Sequence, residues 1–120
     1  MTRRTEKVGD LLQGEIAELL QRRVKHPALT DAMISITHVD VTADLSTARV
    51  HVSVIGTEEE TEPVMVALAQ TEPFLHRELV KRLHIKRVPR LRFLYDPSMA
   101  EADRLGALMR DVARAEGREL

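Results

Sequence analysis

Cysteine is absent from this chain, so neither a disulfide framework nor a thiolate metal site can form, and a reducing compartment is favoured. Tryptophan is absent too, and Phe74, Phe93 and Tyr95 are the only aromatic residues, too few rings to stack a row of single-stranded bases. No apolar run approaches a membrane span, and Met1-Thr2-Arg3-Arg4 is not followed by the apolar stretch of a signal peptide; a soluble, cytoplasmic protein is expected. Enzymatic patterns are missing as well. There is no GxxxxGK[ST], GxSxG or HExxH, and His76-Arg77-Glu78 lacks the cysteines of a zinc deaminase site. No catalytic residue, metal or cofactor is therefore expected.

What the chain does have is charge of both signs, separated along its length. Its 120 residues sum to a formal charge of only −1. Yet between Phe74 and Asp96 seven cations (Arg77, Lys81, Arg82, Lys86, Arg87, Arg90, Arg92) stand against two acids (Glu78, Asp96), while the preceding stretch holds Glu58, Glu59, Glu60, Glu62 and Glu72 with no Lys or Arg. Such polarity can orient a polyanion, although solvated faces of ordinary domains also carry charge blocks. The length suits one domain that buries around two-thirds of its unfolded surface.

Periodicity supplies the elements. Val8, Leu12, Ile16, Leu19, Leu20 and Val24 recur at i, i+3, i+4 spacing, which predicts an amphipathic helix over 6–24 with Thr5 as its cap and Pro27 beyond its end. Residues 34–42 and 47–55 alternate and are rich in Val, Ile and Thr, so they read as two strands joined through Ala43-Asp44-Leu45-Ser46. One register sets Val39 and Val41 opposite Val50 and Ala48 on an apolar face, with Asp40 opposite Arg49 and His38 opposite His51 on a polar face. Ile34 and Ile36 break that alternation, which predicts a bulge near Thr37 or cover over that end of the polar face. The facing histidines lack a third ligand and make a poor metal site. The Asp40–Arg49 pair is worth ~0.5 kcal/mol if exposed.

The acidic stretch leads into a helix expected at about Pro63, with Val64, Ala67, Leu68 and Thr71 inward. A proline removes an i to i−4 bond, so the helix is expected to break or kink at Thr71-Glu72-Pro73 and to resume at Phe74. Leu75, Leu79 and Leu83 then recur every four residues and Leu91, Phe93 and Tyr95 every two, as in a helix followed by a strand that Pro89 opens. Arg77, Lys81 and His84 share a helical stripe that runs on into Lys86, Arg87, Arg90 and Arg92, and phosphates are its natural partner. Arg3, Arg4, Arg22 and Arg23 form a second basic set, although Arg22 and Arg23 also suit the negative end of the first helix's dipole. After the strand, Ser98-Met99-Ala100-Glu101 resembles a capping box, and Leu105, Leu108, Met109 and Val112 continue a helical stripe whose end should fray.

Arg87-Val88-Pro89-Arg90-Leu91-Arg92-Phe93-Leu94-Tyr95-Asp96-Pro97-Ser98 resembles the signature segment of the ribosome-binding factor A family, and with the Ala43-Asp44-Leu45-Ser46 turn the resemblance spans roughly residues 3 to 105. It implies an α+β, KH-like (type II) domain over 1–104, ordered α-β-β-α-kink-α-β: a three-stranded sheet with helices packed on one face, then a C-terminal helix whose end and frayed tail occupy 105–120. It also implies a monomeric, non-enzymatic factor that binds the immature small (30S) ribosomal subunit and its 16S rRNA and supports late processing and folding of that RNA, with no membrane or small-molecule substrate. The chain lacks the GxxG loop of KH domains, and Thr71-Glu72-Pro73 stands where the family characteristically has an Ala-x-Gly kink. The rival reading is a protein interaction module that docks through the polar sheet face.

Overall fold

A computed structural model describes residues 3–30 and 32–97, which form α1 (Arg3–Arg22), α2 (Pro27–Thr30), β1 (Ile34–Val41), β2 (Thr47–Val54), α3 (Glu58–Arg82) and β3 (Arg90–Tyr95). The three strands make one sheet in the order β1-β2-β3, β1 antiparallel and β3 parallel to β2. A parallel neighbour needs a crossover, and α3 supplies it. This is the mixed α+β architecture that the family resemblance implies. The capping-box residues, the last stripe and the division near residue 104 lie outside the described residues.

Leu12, Ile16 and Leu19 of α1 are fully buried on the apolar face of the sheet, against Val39, Val41, Ala48, Val50, Val52, Val54 and Leu91; Val64, Ala67, Leu68, Leu75 and Leu79 of α3 complete the core. Each fully buried Leu or Ile contributes about 1.5–3 kcal/mol relative to exposure. Leu11, beside the stripe, is exposed. α1 lies so close to β1 that a Cβ at Gly9 would stand 2.9 Å from the carbonyl oxygen of Val39, and one turn later Gln13 donates to the carbonyl of Ile36 (3.2 Å).

The hairpin has the expected register: Val41↔Ala48, Asp40↔Arg49, Val39↔Val50 and His38↔His51. Between Ile36 and His38 the register shifts by one, and Ile36 then pairs with Val52 and Ile34 with Val54. The extra residue, Thr37, returns both isoleucines to the core side, and its hydroxyl bonds Asp96 beyond β3 (2.6 Å). In the turn, the Asp44 carboxylate accepts from the Ser46 hydroxyl (2.7 Å), the Thr42 hydroxyl (2.8 Å) and the Ser46 N–H (3.0 Å). These bonds lower its pKa from 3.8 to about 2, the Ser46 hydroxyl contributing most. They also hold Leu45 at φ 61, left-handed backbone that costs a side-chain-bearing residue about 1–2 kcal/mol.

Three expectations need correction. Thr5 is not a cap: α1 already begins at Arg3, and Thr5 is buried inside it. Pro27 does not merely follow a helix but starts one, since a proline suits the first helical position; His26 Nδ1 accepts from the Ala28 N–H ahead of it. Finally, α3 begins at Glu58 rather than Pro63, capped by the Thr57 side chain, and it runs unbroken through Thr71-Glu72-Pro73. Both internal prolines are exposed, and so are Glu59 and Ala69, whose carbonyls lose their partners; water can therefore serve those groups. Buried Leu68, Leu75 and Leu79 hold the helix together on the other side.

Glu72 supplies a further tie. It is buried, and its Oε2 accepts the N–H of Leu91 (2.8 Å), a donor on the free edge of β3, while Oε1 pairs with Arg90. One turn on, His76 Nε2 donates to the Val88 carbonyl (3.1 Å), which leaves Nδ1 to accept from Arg90 (3.5 Å).

Glu72→Ala should lower the equilibrium unfolding free energy in urea by about 1–3 kcal/mol, because the Leu91 N–H loses its acceptor; Glu72→Gln, which keeps an acceptor, should lose less. An unchanged midpoint for Glu72→Ala would show that the clamp adds no stability. Because the folded Asp44 carboxyl titrates at about 2 instead of 3.8, its contribution to stability is complete above its unfolded value and is lost as pH falls through the folded one. Carboxyl NMR titration should place its midpoint near 2, moving upward in Ser46→Ala.

Candidate nucleic-acid interface

The second half of α3 turns Leu75 and Leu79 into the core, with Leu83 following at the helix end, and this leaves Arg77 and Lys81 outward, followed by His84 just past the helix. The helix stops at Arg82, where Leu83 takes an extended conformation and its N–H bonds the Leu79 carbonyl. Residues 83–89 then cross to β3. Pro89 is fully buried and Ile85 and Val88 are partly so, which anchors the connection and leaves His84, Lys86 and Arg87 exposed. Arg87 donates to the Asp44 carbonyl in the hairpin turn (3.3 Å), and the Arg90 N–H bonds the Ser46 carbonyl (3.0 Å). The connection and the hairpin turn thus share one end of the sheet.

The N-terminus of α1 points to that same end. Gly9 packs on Val39 and Val41, so Arg3, six residues earlier, lies about 9 Å further toward the turn. Arg3, Arg4 and Lys7 are exposed in the first two turns, at the positive end of the helix dipole, where a cation is disfavoured; local helix chemistry gives no reason for them. Arg22 and Arg23, grouped with them in the sequence reading, stand at the opposite end of α1.

The structure divides the cations by what they touch. Arg82 is only half-exposed and reaches Glu15 (3.3 Å) and Glu18 (3.7 Å) on α1, and Arg23 reaches the buried Glu78 (3.2 Å), which Lys81 also approaches (3.6 Å). Arg90 is paired with Glu72. Arg77, Lys86, Arg92, Arg3, Arg4 and Arg22 make no ion pair among the described residues, and His84 none either. The basic stripe read from the sequence is thus two populations: internal ties between helices and strands, and open charges.

On the other face of the sheet, Arg92 lies beside Arg49 in the parallel register and His51 beside Leu94. Asp40 pairs with Arg49, and the rings of His38 and His51 are 5.8 Å apart. Arg49 is a basic surface residue that the sequence reading did not assign to a binding face; the β2-β3 register would have revealed it. Among the described residues no three potential metal ligands cluster. No described helix is long and apolar enough to cross a membrane. Exposed guanidinium and ammonium groups around one end and one edge can engage phosphates of a folded polyanion; Phe74 and Phe93 are half-buried and offer no stacking platform.

Comparison with known proteins gives a concordant result. The family model for Ribosome-binding factor A matches residues 4–109. The chain is 39% identical over 115 residues to Ribosome-binding factor A of Thioalkalivibrio sulfidiphilus, spanning 96% of this chain and 87% of that protein. Against the Syntrophobacter fumaroxidans protein of the same name, identity is 37% over 116 residues, 95% of this chain and 97% of the relative. Among solved structures, it is similar to the crystal structure of ribosome-binding factor A from Thermus thermophilus, with 27% identity, a TM-score of 0.64, and 76% of this chain and 94% of that one covered. It is also similar to the Thermus thermophilus ribosome binding factor A homology model fitted into a cryo-EM map of a 30S–RbfA complex (26% identity, TM-score 0.61, 78% and 96% covered).

The division of cations is open to measurement. Arg82→Ala strips two carboxylates of their half-buried partner and should lower unfolding stability by about 1 kcal/mol, whereas Lys86→Ala should stay within about 0.5 kcal/mol of the parent. Equal effects in urea melts would remove the distinction.

Proposed function

The chain belongs to the ribosome-binding factor A family, and from that premise we propose that it binds the small ribosomal subunit through its basic end, contacting 16S rRNA and supporting late processing and folding of that RNA in the cytoplasm. The observation that carries the reading is that cations without an ion pair among the described residues come to one end from separate parts of the chain: Arg3, Arg4 and Lys7 of α1, and Lys86 and Arg87 of the α3–β3 connection beside the hairpin turn. The protein acts as a rigid monomeric body. It stabilises those conformations of the RNA to which it binds better, which is binding work and not catalysis. With no GxxG loop and an unbroken α3, contact relies on side chains reaching phosphates. The connection 83–89 is fixed in place for this by Pro89 beneath it and by the Glu72–Arg90–His76 tie behind it.

A protein partner on the face that carries Arg49, Arg92 and the two histidines is the competing reading, and salt separates the two. If about four phosphates are neutralised, binding to immature small subunits should show a log-log salt slope of about −3, weakening roughly fiftyfold between about 50 and 200 mM. Replacing Arg77, Lys81, Lys86 and Arg87 by Ala should flatten that slope and leave the unfolding midpoint nearly unchanged, since Arg82 and Arg90 keep their carboxylates. A folded quadruple variant with unaltered affinity and slope would rule out this end as the interface.

A further inference from the structure

The helices α1 and α3 bury the apolar side of the sheet, and among the described residues no helix covers the other side, where His38, Arg49 and Arg92 are exposed. Two rows of side chains cross that open face. In the first, Arg49 of β2 has its partner Asp40 of β1 on one flank and Arg92 of β3 on the other. In the second, two residues or about 7 Å along the strands, His51 stands between His38 and Leu94. The two imidazole rings there lie 5.8 Å apart, with their planes tilted by 35°. We propose that this face holds a single-stranded segment of RNA, with phosphates on Arg49 and Arg92 and a base stacked on the His38 and His51 rings. The inference rests on the RNA-binding reading above and gives it a second contact.

Three observations select this occupant. The first is charge. Like charges at facing positions on neighbouring strands destabilise a sheet, and Arg49 and Arg92 are such a pair. The carboxylate of the row, Asp40, is engaged on the far flank, and Arg92 meets no acid among the described residues. A phosphate shared by the two guanidinium groups removes that repulsion, and Asp40 already holds one of them in position. The second is the pair of rings. Neither imidazole makes a hydrogen bond or ion pair among the described residues, and histidine rings are platforms for unpaired bases. A ligand that uses both rows carries anionic groups and flat, unpaired rings side by side. Single-stranded RNA does so, whereas a duplex hides its base faces and an acidic peptide matches the arginines alone. The third is continuity. Arg49 lies three residues, about 10 Å, from Ser46 in the hairpin turn, where Arg87 of the basic connection also reaches, so a strand held at the basic end runs directly onto this face.

Because the chain has no tryptophan, the full-length protein leaves clear the fluorescence of an aminopurine base placed in a single-stranded RNA of about ten nucleotides. Stacking should quench that fluorescence. His38→Ala/His51→Ala should abolish the quenching and weaken binding at least about fivefold, while His51→Tyr, which keeps a ring, should retain it. Arg49→Ala/Arg92→Ala should flatten the log-log salt slope by about 1.4, two phosphates at the single-strand coefficient. Urea melts report whether each variant is folded. Quenching that survives in His38→Ala/His51→Ala, or no quenching with the parent protein, would overturn the proposal. So would imidazole NMR shifts of His38 and His51 on adding polyglutamate but not the RNA, which would assign the face to an acidic protein segment. The same variants on immature small subunits keep the two readings apart. Sheet-face variants that bind like the parent, while the basic-end quadruple variant does not, would overturn this contact alone. A parent protein that quenches the oligonucleotide but does not bind the subunit would overturn only the reading beneath it.

Discussion

A sheet of three strands has two edges, so two of its three strands present backbone groups that no neighbour can pair. Here the helices meet that constraint. Along β1, Gln13 takes the Ile36 carbonyl and Gly9 lets α1 come down on the Val39 carbonyl; along β3, Glu72 takes the Leu91 N–H. A buried carboxylate is costly unless it is fully bonded, and Glu72 is bonded at both oxygens. That requirement sets the rotation of α3 about its axis. It therefore also decides which side chains of the helix end up inside, with Leu75 and Leu79, and which remain outside, with Arg77 and Lys81.

What could be read in advance followed from short-range alternation. The hairpin was legible because period-2 patterning in a Val- and Thr-rich pair admits one sensible register, and even the bulge at Thr37 announced itself through the misplaced Ile34 and Ile36. The α1 stripe was equally plain. The rest depended on partners far apart in the chain. Nothing near Thr71-Glu72-Pro73 reveals that its central carboxylate meets a strand nineteen residues later, and so the proline alone suggested a break. Nothing in the basic run shows that Arg82 faces Glu15 and Glu18 while Lys86 faces none. Arg49 and Arg92 became neighbours only once the strand order was known.

The sorting of charge reconciles a formal total of −1 with an exposed basic end. Among the described acids, Glu15, Glu18, Glu72 and Glu78 lie against cations in ties between elements, and exposed Glu59, Glu60 and Glu62 stand at the start of α3, where they suit the positive end of the helix dipole. The same 25-residue helix ends in Lys81 and Arg82. At 1.5 Å per residue it carries these opposite charges roughly 37 Å apart. A body polarised in this way turns its basic pole toward a polyanion before any contact is made.

The parallel pairing of β3 has a consequence for how the chain reaches this arrangement. β1 and β2 are joined across Thr42–Ser46, so their closure is local, but β2 meets β3 only after the whole of α3 has been spanned. By chain-closure entropy alone the second event is about 2 kcal/mol less favourable than the first. β3 is also the last described strand to be synthesised. During synthesis, then, the hairpin and α1 can form a half-built sheet with one flank of β2 bare, and docking of β3 both covers that flank and brings the 83–89 connection against the hairpin turn. Closure of the sheet and assembly of its basic end are a single event.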